Sequence, residues 1–297
     1  MKKKLCILLL FFFWGWSIPV SGAPDEAGDE FAGLQGFYSR DGGHLRASYL
    51  SELPDKMVFL KIGQGFSFGR LLDQHMSNLH YTGPGGVLSF SRYVESRRGI
   101  TEIVFARGGM HYARPAHENT LVYNPFFGMS YQHLRRLQGR SVFTVYAGGR
   151  ADVLANIRMA PRLGNSYLFA DFITEIQPMG QVSYQPHFFN RDWHFDFSLS
   201  FALLGYGVRM PEYATSFMIS PDGGSAFADL ESGILHPANF AHLTSGIYIK
   251  ESFGGQYNPN WFRIGYFWDY YRISGNHDRK FFNANHQVVL ELYFMVN

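Results

Sequence analysis

The chain has a single cysteine in 297 residues, only 17% charged residues and a formal balance of +2. One thiol cannot close an intramolecular disulfide or furnish a thiolate metal site. Lys2, Lys3 and Lys4 account for more than the whole positive balance, so no basic footprint for nucleic acid is implied. Long apolar runs are also lacking: after Leu5 to Val20 no stretch reaches the roughly 18 residues that a membrane-crossing helix needs. The twelve histidines are scattered, without a His-x-x-x-His pair, so no metal or cofactor is expected.

What is present begins with an export signal. Lys2 to Lys4 precede the apolar run, and Ser21-Gly22-Ala23 supply small residues where a signal peptidase cuts. Residues 1–23 therefore read as a signal peptide cleaved after Ala23, and Cys6 leaves with it. Residues 24–35 follow as a short acidic tail (Asp25, Glu26, Asp29, Glu30).

Aromatics are abundant, with 29 Phe, 18 Tyr and 5 Trp, and they fall at every second position. Trp193, Phe195, Phe197, Leu199 and Phe201 alternate with His194, Asp196, Ser198, Ser200 and Ala202. Val288, Leu290, Leu292, Phe294 and Val296 alternate with Gln287, Val289, Glu291, Tyr293 and Met295; Phe262, Ile264, Tyr266, Trp268 and Tyr270 form a third set. A period of two places one set on each face of a strand. About ten such residues, tilted, cross the hydrocarbon core of a bilayer, and alternation hides that face from hydropathy windows.

With its leader, its alternating strands, its aromatic strand ends and a last strand running to the C-terminus, the chain resembles the outer-membrane β-barrel proteins of Gram-negative bacteria. It departs from many of them in ending Phe294-Met295-Val296-Asn297 rather than on an aromatic residue. The resemblance implies an all-β, up-and-down antiparallel transmembrane barrel over residues 36–297, of about twelve strands, with ten to fourteen compatible. It also implies an outer-membrane location, contact with membrane lipid and lipopolysaccharide, and a final strand descending to the periplasm.

Counting back from that strand gives strands near 286–297, 261–272, 242–253, 193–205, 181–189, 166–176, 141–155, 126–137, 100–114, 86–97, 57–69 and 36–50. The longest connection, Tyr206 to Ala241, carries Pro211, Pro221-Asp222-Gly223-Gly224 and Pro237. It is expected outside the cell, where it offers contacts to other envelope proteins. The same count places Arg97, Arg98, Arg135, Arg136 and Arg140 at outer hairpin tips, where guanidinium forks suit lipopolysaccharide phosphates or stand as solvated turn charges.

The polar faces of the strands put His194, Asp196, Arg263, Asp269 and Glu291 in the lumen, with Arg263 approaching Glu291. Such groups either satisfy one another in a filled interior or line a path for a small solute. One motif carries an enzymatic resemblance. His75-Met76-Ser77-Asn78 is similar to the His-x-Ser-Asn segment of outer-membrane phospholipase A and of some lipid A deacylases. There a base and a nucleophile two residues apart share one face of a strand. Here Leu79 follows Asn78, Ser89 stands where those families carry Asn or Glu, and the strand count puts His75 on the periplasmic side. The expectation is a non-enzymatic barrel, either a narrow pore for small solutes or a membrane-embedded subunit of an envelope assembly. The alternative is a lipid hydrolase using His75 and Ser77.

Overall fold

In the computed structural model, which describes residues 56–74, 76–116, 120–139, 142–162, 168–188, 191–209, 231–252, 260–274 and 280–296, antiparallel strands close into a barrel. The leader, the acidic tail, the strand expected at 36–50, His75 and Arg140 lie outside these residues. In chain order the strands are β1 Lys56–Asp73, β2 His80–Ser96, β3 Gly99–Pro115, β4 Val122–Gly139, β5 Phe143–Met159 and β6 Leu168–Tyr184. They continue as β7 His187–Phe188, β8 Arg191–Asp192, β9 His194–Phe201, β10 Leu204–Arg209, β11 Glu231–Leu235, β12 Phe240–Ser252, β13 Trp261–Ser274 and β14 Lys280–Met295. Strands β7 and β8 form a separate two-residue ladder; the other twelve make one sheet.

Closure follows from the pairing of the first strand with the last, Gly63 facing Glu291, and of β6 with β9, Gly180 facing Leu199. Both β9 and β10 pair with β6, and β12 and β11 pair with them in turn. The twelve segments thus stand as ten staves, two of them interrupted. The expected strands 166–176 and 181–189 are a single stave, β6. Pro178 and Gly180 read as a turn, yet Pro178 is paired with Gly149 on one side. On its other side the neighbouring stave breaks at Ala202–Leu203, so a residue without an N–H leaves the ladder intact.

Merging those two strands inverts the ends of every strand before them. The turn containing Ser77 lies at the mouth opposite the C-terminus, the distal mouth. The turn Arg97–Arg98 and the ends of β4 at Arg135 and Arg136 lie at the terminal mouth, the end expected from the sequence to face the periplasm. The expected 206–241 loop is also shorter, since β10 continues to Arg209 and β11 starts at Glu231; residues 210–230 lie outside the described set.

The faces sort as the period of two requires. Phe66 is 63% exposed, and Phe68, Leu88, Phe127, Phe197, Leu199, Phe201, Ile247, Ile264 and Val288 also face outward. At 16 to 18 residues in β1 to β6 and β14, the staves exceed the length a bilayer needs. The interior is layered. At the distal mouth Leu71, Tyr81, Phe169, Phe240, Tyr271 and Phe281 form an apolar plug, and at the terminal mouth Phe59, Tyr93, Leu134, Tyr146, Trp261 and Tyr293 form another. Buried charge fills the space between and beside them.

Candidate active site in the barrel lumen

His242 is the hub of this buried layer. It projects inward from β12, two residues above Thr244, which faces both Ser200 on β9 and Asp269 on β13. Inward parity on three adjacent staves therefore gathers Ser200, His242 and Asp269 from positions 69 residues apart in sequence. The ring Nε2 lies 2.9 Å from Asp269 Oδ1. Its Nδ1 faces Glu175 Oε1 on β6, with the Gln177 amide nitrogen 3.2 Å away. Whichever nitrogen carries the proton, a carboxylate accepts it and fixes the ring's orientation.

Ser200 is fully buried and reaches the ring through Gln177. Its hydroxyl donates to Gln177 Oε1 at 2.5 Å and accepts from Thr244 at 2.5 Å. The Gln177 amide donates to Asp152 Oδ2 at 3.0 Å, and Arg150 Nε donates to Asp152 Oδ1 at 2.8 Å. Arg107 completes the wall: its Nη2 donates to Gln287 at 3.1 Å and stands 3.7 Å from Asp269. His242, Asp269, Glu175, Arg107 and Arg150 border an interior cavity of about 40 Å³, room for a water or two.

Of the residues expected in the lumen, Asp269 belongs to this cluster. Arg263 pairs with Glu291 directly across β13 and β14, and Glu291 also pairs with Lys61 at 3.2 Å. Asp196 accepts from Ser183 at 2.5 Å, and the His194 ring packs 5.4 Å from Trp261. These lie nearer the terminal mouth, in a separate layer. Ser77 sits in the turn after β1, where it accepts from the Leu79 N–H at 3.1 Å and shares a hydrogen bond with Tyr81 at 2.8 Å. His75 lies outside the described residues. Among the described residues, no group of three or more His, Cys, Asp or Glu is arranged to hold a metal ion.

Two expectations are corrected here. A pore for solutes needs a continuous polar wall, whereas the described lumen is plugged at both mouths and packed with paired charges. The non-enzymatic reading as a whole gives way to the Ser200–His242–Asp269 arrangement, because a hydroxyl, an imidazole and a carboxylate buried in one network are the parts of a hydrolytic site. His242, Glu175 and Gln177 were not singled out in the sequence. The available signal was parity: His242, Thr244 and Lys250 share the inward face of β12.

Fold and site together define a closed outer-membrane-type β-barrel with a buried polar network. Among solved structures the chain is similar to the outer membrane protease OmpT from Escherichia coli, at 6% identity, covering 81% of this chain and 96% of that one, with a TM-score of 0.39. It is also similar to Pseudomonas aeruginosa OpdQ (9% identity, 81% and 100% covered, TM-score 0.19) and to the P. putida toluene transporter TodX (7%, 84% and 91%, 0.23). The likeness is one of barrel architecture. No protein-family model and no curated protein matches the chain.

Proposed function

We propose that the protein is a membrane-embedded hydrolase acting on a carbonyl ester of an outer-membrane lipid. The observation that supports this is an imidazole held between two carboxylates beside a small cavity, inside a barrel whose outer wall is apolar. His242 acts as general base toward the Ser200 hydroxyl, Asp269 holds and compensates the protonated ring, and Thr244 orients the hydroxyl. In the resting barrel Gln177 lies between base and nucleophile and Glu175 occupies Nδ1. Turnover therefore requires the Gln177 amide to rotate aside and the Nδ1 proton to pass to Glu175, which frees that nitrogen for the Ser200 proton. Arg107 and Arg150 line the cavity beside His242 and give it positive charge. The terminal mouth faces the periplasm.

The test is turnover of phospholipid and lipid A by the purified barrel in detergent, measured as released fatty acid. Asp269→Asn is expected to lower the rate by about 10²- to 10⁴-fold with the barrel still folded by its heat-modifiable gel mobility. No turnover by the wild-type protein on either lipid overturns the proposal.

A further inference from the structure

The outer wall carries a feature that the lumen does not explain. Toward the distal mouth, Arg70 on β1, Arg114 on β3 and Arg272 on β13 all point outward and are exposed. Register places them in one patch. Arg70 faces Thr82 on β2, which faces Arg114; beside Arg70 on the same strand, Leu72 faces Phe282 on β14, which faces Arg272. Arg70 is thus central, with the other two arginines each two strands away, about 10 Å at the usual strand spacing.

The three guanidiniums give this part of the wall a positive charge that no described neighbour offsets. None of the outward residues on the distal halves of β1, β2, β3, β13 and β14 is acidic, and no carboxylate among the described residues pairs with any of the three. The patch has an aromatic floor: the Arg70 guanidinium lies 5.9 Å from the Phe282 ring centroid, and the His80 ring lies 5.4 Å from the same ring. Directly below it, toward mid-wall, the surface turns apolar with Phe68, Phe66, Leu88, Tyr112 and Val288.

Cationic forks at the rim of an apolar band present the complement of a phosphorylated amphiphile: phosphates on the guanidiniums, acyl chains on the wall beneath. We infer that Arg70, Arg114 and Arg272 form a binding site for a phosphorylated glycolipid of the outer leaflet. Separation of the arginines across five strands suits a headgroup with phosphates on different sugars better than a single phosphodiester. This inference is independent of the lumen chemistry.

Binding of bisphosphorylated lipid A to the detergent-solubilised barrel, read by native mass spectrometry, tests it against two controls: enzymatically dephosphorylated lipid A and phosphatidylglycerol. The wild-type protein is expected to retain the bisphosphorylated form at least tenfold more tightly than either control. The Arg70→Gln, Arg114→Gln, Arg272→Gln triple variant is expected to lose that preference while keeping its folded gel mobility. A second variant, Arg97→Gln with Arg98→Gln and Arg135→Gln at the terminal mouth, is expected to bind as the wild type does. Equal retention of phosphorylated and dephosphorylated lipid, equal retention of phosphatidylglycerol, or undiminished binding by the triple variant overturns the inference.

Discussion

Tyr248 shows how single residues shape this lumen. Its ring lies flat on the wall over two glycines: a Cβ at Gly265 would meet Tyr248 Cδ1 at 2.1 Å, and one at Gly246 would meet Cε2 at 2.4 Å. From above, the Arg263 guanidinium covers the ring at 4.0 Å, so the ring has no direction in which to yield. Gly265→Ala should therefore cost about 1–3 kcal/mol in urea unfolding from lipid vesicles; an unchanged midpoint would show that the ring moves freely. A second residue with outsized weight is Arg158. Fully buried, it bridges Asp73 on β1 and Asp171 on β6 at 2.6 Å each, and it stacks 4.4 Å over Phe281 on β14. Replacing it with Met leaves two buried carboxylates to share Arg209, which already contacts Asp171 at 3.0 Å. Arg158→Met is expected to cost about 3–5 kcal/mol, measured in the same unfolding experiment. A loss below about 1 kcal/mol would mean that the carboxylates are otherwise satisfied.

Among the elements, the strands written in a strict period of two were legible. The expected strands 261–272 and 286–297 correspond to β13 and β14, and 193–205 to β9 with the break at Ala202–Leu203 and the start of β10, with their lipid and lumen faces as expected. What misled was local turn chemistry inside β6, where Pro178 and Gly180 stand in mid-stave opposite a break in the neighbour. One false turn changes parity, and parity decides which mouth each hairpin reaches. The basic tips and the Ser77 turn were thereby exchanged between the two ends. The site was illegible for a different reason: Ser200, His242 and Asp269 meet only through the register of three staves, which no local spacing encodes. Native tryptophans give a direct check on the faces. Trp268 lies on the outward face of β13, with Tyr270 stacked on it at 5.9 Å, whereas Trp261 is buried in the terminal plug. Brominated acyl chains should quench a fluorescence component that Trp268→Phe removes and Trp261→Phe retains. The reverse assignment would mean that the strand faces are inverted. By the same logic Phe66→Arg, in the middle of β1, should destabilise the barrel by about 2–4 kcal/mol, whereas a mid-wall residue facing water would change little.

For the molecule as a whole, the arrangement is a wall that dissolves in lipid around an interior that water barely enters. Among the described residues, apolar plugs at both mouths and ion pairs between them leave cavities of about 40 Å³, too small for solute passage. On the proposed function, a barrel so filled acts through chemistry in its lumen rather than through transport along its axis. His242 is where the polar staves converge, and its two carboxylate partners come from strands on opposite sides of it in the sheet. The measurement that bears most directly on this account is fatty-acid release from outer-membrane lipid by His242→Gln beside the wild-type barrel, both folded in the same detergent. The account predicts measurable release by the wild type and a rate at least a hundredfold lower in the variant. Equal rates in the two proteins would contradict it.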